Sequence, residues 1–200
     1  MDIPLHAPVH CADGPCGEST YVIVDPRTKK VTDFVMREAG FPNTERIVPL
    51  DLVVQSEPEK IIIRCEQKDL GELKTFTVQQ FLPGNTDDGL YPPQGVMVWP
   101  TTAPENPQHV EVQQIDPNLN AIHKGARVKA TDGEVGKVDE FLIDPVSNKI
   151  THLVMREGLL WDKREVVIPV EDIDRLEDDT VYLKLDQYTV EHLPDRRLHD

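Results

Sequence analysis

The sequence predicts a mainly all-β chain: two small β-barrels in tandem, joined by a proline-rich strap, with short helical turns. Three observations predict this. The chain repeats itself at a shift of 119 residues, each copy breaks into short Val/Ile/Leu-rich runs between turn residues, and the prolines gather between the copies.

The repeat is read by laying Asp13 on Asp132. DGPCGESTYVIVDPRTKKVTDFVMRE then falls on DGEVGKVDEFLIDPVSNKITHLVMRE, with Gly14/Gly133, Gly17/Gly136, Asp25/Asp144, Pro26/Pro145 and Met36-Arg37-Glu38/Met155-Arg156-Glu157 identical. One added residue in the second copy makes the later shift 120, which sets Pro49 on Pro169 and Ile61-Ile62-Ile63 on Val181-Tyr182-Leu183. The copies occupy residues 5–73 and 124–194.

Within each copy the elements follow in order. VIVD and FLID end in Asp-Pro, a turn opener, and KVTDFVMRE and KITHLVMRE return after a short gap, which makes a hairpin. RIVP and EVVIP, then KIIIRC and TVYLKL, supply two further strands. These runs alternate only loosely, so some strands are expected to be covered on both faces, by the sister copy or by another subunit. QKDLGEL and QYTVEHL space their apolar residues three apart, the mark of one helical turn. A closed or nearly closed barrel reconciles many short strands with few exposed edges.

Residues 74–123 hold seven of the chain's 17 prolines. Two apolar islands, Phe76 to Leu82 and Val96 to Trp99, interrupt them. A disordered tether has little use for such residues, so the interval is read as an extended strap pinned at the islands.

Composition narrows the function. Acidic residues outnumber basic ones 36 to 21, for a net charge of −15, which argues against nucleic-acid and anionic-membrane partners. No run approaches the ~18 apolar residues of a membrane-spanning helix, so no integral membrane segment is expected. The first residues have neither the basic nor the apolar region of a secretory signal. Three cysteines, an odd number, point away from a disulfide framework and toward a reducing cytoplasm.

The ordered set V-x-x-x-D-G-x-x-G, an apolar strand ending in D-P, K-[VI]-T-x-[FL]-V-M-R-E and P-x-[DE]-x-[VI] occurs twice and resembles the PRC-barrel family. The second copy matches better, through ATDGEVGKVDEFLIDP and KREVVIPVEDIDRLEDDTVYL. The resemblance implies a β-barrel interaction module without catalytic residues. That family includes the cytoplasmic domain of the photosynthetic reaction-centre H subunit and the C-terminal domain of the ribosome-maturation factor RimM. The helix of the former and the different first domain of the latter are both missing, so the chain is most similar to tandem PRC-barrel proteins of unassigned function.

The motif residues have structural roles. Asp13-Gly14 and Asp132-Gly133 suit a tight turn with positive φ, Gly17 and Gly136 a close backbone approach or bulge, and Asp25-Pro26 and Asp144-Pro145 a type I turn. His6, His10, Cys11 and Cys16 invite a metal reading, but their spacing fits no zinc signature. Their repeat partners support the structural reading: Cys11 falls on Ala130, Cys16 on Val135 and Cys65 on Leu185. No nucleophile motif, P-loop or dinucleotide-binding glycine motif occurs, so neither catalytic residues, cofactor nor metal are expected. The strongest functional signal is apolar residues where a turn should be polar: Leu159, Leu160 and Trp161 in the second copy and Phe41 in the same loop of the first. The reading is a non-enzymatic adaptor or scaffold that binds a protein partner or itself. The alternatives are a RimM-like ribosome-assembly factor and a small-ligand or metal-binding protein using the groove between barrels.

Overall fold

A computed structural model describes residues 2–82, 108–157, 164–177 and 179–193. The strands in chain order are β1 (Asp2–Pro4), β2 (Pro8–Cys11), β3 (Gly14–Asp25), β4 (Lys30–Glu38), β5 (Glu45–Pro49), β6 (Val53–Glu57), β7 (Lys60–Ile63), β8 (Thr77–Leu82), β9 (Gln108–Gln113), β10 (Asn120–His123), β11 (Arg127–Lys129), β12 (Glu134–Ile143), β13 (Ile150–Glu157), β14 (Arg164–Pro169), β15 (Ile173–Glu177) and β16 (Thr180–Leu183). Short 3-10 turns lie at Leu50–Leu52, Gln67–Glu72 and Val170–Asp172, and one α-helical turn, α1, spans Gln187–Glu191. The all-β expectation holds: two seven-stranded sheets dominate.

The sheets share one topology. The first runs β5-β4-β3-β2-β7-β6 and the second β14-β13-β12-β11-β16-β15. In each, one pairing is parallel, β2 with β7 and β11 with β16, while the rest are antiparallel. Even the bulges recur, between Val9 and His10 and between Val128 and Lys129, positions 119 apart.

The seventh strand of each sheet comes from the residues immediately before the other copy. β1 pairs with β12, placing Ile3 opposite Phe141, and β10 pairs with β3, placing Ile122 opposite Val22. Both pairs are related by the 119-residue shift, so the exchange is reciprocal and pseudo-twofold. The same symmetry appears where the two hairpins meet. Lys30 bridges Lys149, Val31 N–H donates to Asn148 O at 2.9 Å, and Ile150 N–H donates to Lys29 O at 2.9 Å. Lys29 then reaches across the junction, its ammonium donating to Val170 O at 3.1 Å and Ile173 O at 2.5 Å. Partial burial there lowers its pKa, with Lys184 adding repulsion.

This interlocking explains the loose hydrophobic alternation. One continuous core runs through both repeats, from Ile3, Val9, Phe34 and Ile61 to Phe141, Leu153, Ile168 and Val181, all fully buried. A second, smaller core covers the outer face of the first sheet. There Ile23, Val35 and Ile47 pack under Phe76 and Ala121, with Tyr21, Ile115 and Leu119 at the margin. The Tyr21 and Phe76 rings stand 4.9 Å apart. The cover therefore comes from both ends of the interval between the repeats. The edge of β5 is closed by the same chain, since Phe76 N–H donates to Glu45 O at 2.8 Å and Ile47 N–H to Lys74 O at 2.8 Å. Residues 77–114 form a separate unit, in which β8 and β9 make an antiparallel ladder with Val78 opposite Val112. The island at Val96 to Trp99 lies outside the described residues.

The cysteine expectation is corrected. Cys11 and Cys16 form a disulfide across the β2–β3 turn, with Cα atoms 5.7 Å apart and both residues buried, while Cys65 stays free. An odd count excludes complete pairing but not one pair, and with the pair formed the cysteine count no longer points to a reducing compartment. Burial raises the Cys65 thiol pKa. The second repeat builds the same hairpin with Ala130 and Val135 at these positions, so the bond is a staple and not a condition of the fold. Closing so short a loop is worth about 2 kcal/mol. Reductant is therefore expected to lower the thermal midpoint of the native chain, and to leave unmoved a Cys11→Ala, Cys16→Val variant that copies the second repeat. Equal reductant sensitivity in both would show that the bond does not form in solution.

Candidate interaction surface

The turn residues form a matched set of locks. Asp13 Oδ1 accepts the Gln67 N–H at 3.0 Å, and Asp132 Oδ1 accepts the Gln187 N–H at 2.9 Å. Each carboxylate thus ties the β2–β3 or β11–β12 turn to the start of the helical turn that closes its repeat. Each glutamine answers by folding over the glycine: Gln67 Nε2 donates to Pro15 O at 2.8 Å, and Gln187 Nε2 to Glu134 O at 3.3 Å. Gly14 has φ +145, as a turn glycine should. Gly133 is corrected: its φ is not positive, and it is needed for space, because an added Cβ would stand 2.5 Å from Gln187 Nε2. Gly17 and Gly136 make the expected close approaches, to the Arg37 and Arg156 carbonyls.

The Asp-Pro turns, Asp25-Pro26 and Asp144-Pro145, are built by side-chain capping. Asp25 accepts from Arg27 N–H at 2.9 Å and from the Thr28 hydroxyl at 2.8 Å. Asp144 accepts from the Ser147 hydroxyl at 2.5 Å and from Val146 N–H at 3.2 Å. These bonds favour the ionised form and lower both pKa values, led by the Arg27 amide for Asp25 and the Ser147 hydroxyl for Asp144. Both turns close on a residue in the left-handed region, Lys29 at φ 53 and Asn148 at φ 57.

Phe41 is the most exposed large apolar side chain described, 99% accessible at the tip of the β4–β5 hairpin. The hairpin beneath it is braced: Glu38 N–H donates to Thr44 O at 3.0 Å, Arg37 pairs with Glu45 at 2.9 Å, and Arg46 pairs with Glu38 at 2.6 Å. The Phe41–Pro42 peptide is cis, and Asn43 turns the chain back at φ 60. Leu159, Leu160 and Trp161, the corresponding apolar run of the second repeat, lie outside the described residues. Val146, 92% exposed in the turn after Asp144, is a further apolar tip that the sequence reading passed over. Its repeat partner is Arg27, so comparing the copies position by position is the signal that could have found it.

The residues first considered for metal binding separate. His6 Nδ1 meets Glu18 Oε1 at 2.9 Å on the surface, and Cys11 and Cys16 are consumed by each other. Among the described residues no group of three or more His, Cys, Asp or Glu side chains converges on a point. Nor is any described helix long and apolar enough to cross a membrane.

These features define a duplicated, strand-exchanged β-module whose repeated turn residues serve the fold. Residues 124–187, within the second repeat, match the PRC-barrel domain family. The first repeat has the same strand order and the same bulge position. No curated protein matches the chain.

Proposed function

We propose that the chain is a non-enzymatic interaction module, in which paired PRC-type barrels present apolar loop residues to a protein partner or to a second copy. The observation that carries this reading is Phe41, held almost wholly in solvent on a hairpin with two ion pairs at its base. A large apolar side chain costs solvation free energy in that position, and such residues serve as contact anchors. Leu159, Leu160 and Trp161 extend the reading to the second repeat on their composition alone. The match of residues 124–187 to the PRC-barrel domain supports the reading, because the resemblance implies an interaction module.

The test is sedimentation of the pure chain together with capture from its native lysate, each run with Phe41→Ser and with Phe41→Ser, Trp161→Ser. The expected result is a self-associated or partner-bound species that the substitutions weaken at least tenfold, with the thermal midpoint unchanged. A species retained equally by all three versions would remove these loops from the contact.

A further inference from the structure

The sheet register brings together three cations that lie far apart in sequence. Arg127 on β11 stands opposite Lys137 on β12, and Lys137 stands opposite Arg156 on β13. Directly opposite residues share a face, and neighbouring strands are about 4.8 Å apart, so the row spans about 10 Å. Their strand neighbours Val128, Val138 and Met155 point into the core, which sets the row on the outer face. Like charges directly opposite one another destabilise a sheet.

The first repeat provides the comparison. At the same register it places Pro8, Glu18, Arg37 and Glu45, so the charges alternate in sign. The second repeat has Arg127, Lys137, Arg156 and Glu165. It gives up the favourable arrangement that its sister keeps, in a chain with a net charge of −15. Among the described residues neither Arg127 nor Lys137 has an ion-pair partner.

Lys137 and Arg156 also line a cavity of about 370 Å³, with Lys124, Gly125, Glu134, Gly136, Val138 and Asp139. Asp139 is buried and sets two of the cations in place. Arg156 Nη2 approaches one of its oxygens at 2.9 Å and Lys124 Nζ the other at 2.9 Å, the latter an ion pair outside hydrogen-bond geometry. Glu165 takes Arg156 Nε at 3.6 Å. Asp139 and Glu165 are thus engaged with Lys124 and Arg156, and Glu134 lines the cavity as a further carboxylate. Lys137, and Arg127 beside it, are left for an incoming anion.

We propose that this basic row and its cavity dock an acidic helical segment of a partner protein, at a place independent of the Phe41 loop. Carboxylates at i, i+3/i+4 and i+7 on a helix lie about 5–6 Å apart, a spacing that matches cations on successive strands. The acidic surround repels long polyanions and leaves a local positive row for a short acidic face.

The test titrates the full chain with a fluorescein-labelled helical peptide bearing Glu at i, i+4 and i+7, by anisotropy at low and at physiological ionic strength. A proline-broken peptide of equal charge and a single-stranded oligonucleotide are run beside it. The expected result is saturable, salt-sensitive binding of the helical peptide, at least tenfold tighter than of the other two. Lys137→Glu, which copies Glu18, weakens it at least tenfold, whereas Lys68→Glu in the first repeat does not. Lys137→Glu also raises the thermal midpoint, because it restores alternation. Failure of the helical peptide to bind, equal binding by Lys137→Glu, tighter binding of the oligonucleotide, or a lowered midpoint in Lys137→Glu would each overturn the proposal.

Discussion

Ile3→Ala and Ile122→Ala are each expected to destabilise the whole chain by about 2–5 kcal/mol, the cost of emptying a fully buried aliphatic site. Both side chains are completely inaccessible. Each sits on a strand just ahead of one copy that joins the sheet of the other, Ile3 against Phe141 and Ile122 against Val22. The distinctive expectation is cooperativity. Since the sheets exchange strands and share one core, damage to either strand should weaken both repeats together. Urea unfolding followed by far-UV circular dichroism and by amide exchange should give one coincident transition in each variant, displaced to lower urea. A biphasic curve, with one repeat melting early and the other at the native midpoint, would show that the exchange does not couple them.

Gly17→Ala and Gly136→Ala are expected to cost about 3 kcal/mol each, at the upper end of what overpacking costs. A Cβ on Gly17 would stand 2.2 Å from the Arg37 carbonyl oxygen and 2.8 Å from Met36 Cγ, and one on Gly136 would stand 2.4 Å from the Arg156 oxygen. The obstacle is backbone in the middle of a sheet, which cannot rotate away as a side chain can. Gly40→Ala and Gly71→Ala are the controls. Nothing lies within 4 Å of either position, and both should stay within about 0.5 kcal/mol of the native chain. Thermal midpoints of the four variants decide the matter. Equal behaviour of the two pairs would mean that β3 and β12 relax around the added methyl.

The residues that could be read correctly from sequence are those whose chemistry is local. Asp25-Pro26 and Asp144-Pro145 announce a turn because the carboxylate caps amides two and three residues ahead, and the structure places those bonds there. The hairpins that follow are legible for the same reason. Gly133 was misjudged because its constraint is Gln187, 54 residues on, and not its own φ. The disulfide was missed because counting cysteines ignores which two face each other across a turn. The basic row is invisible in sequence because Arg127, Lys137 and Arg156 become neighbours only through register, and a slip of one residue would turn Lys137 to the other face.

By itself the sequence determined that the chain is a duplicated β-module, where its turns fall, and that its acidic surface carries an apolar residue at Phe41. Repetition and turn chemistry are short-range information, carried within a few residues. The tertiary structure alone decided which sheet each short strand joins, since Asp2–Pro4 and Asn120–His123 have too few residues to encode a partner. A strand's alternation says that one face is to be buried, but not against which edge. That choice was made by the shared core, where exchanging strands lets Ile3 and Ile122 be buried completely in sheets built from the other repeat.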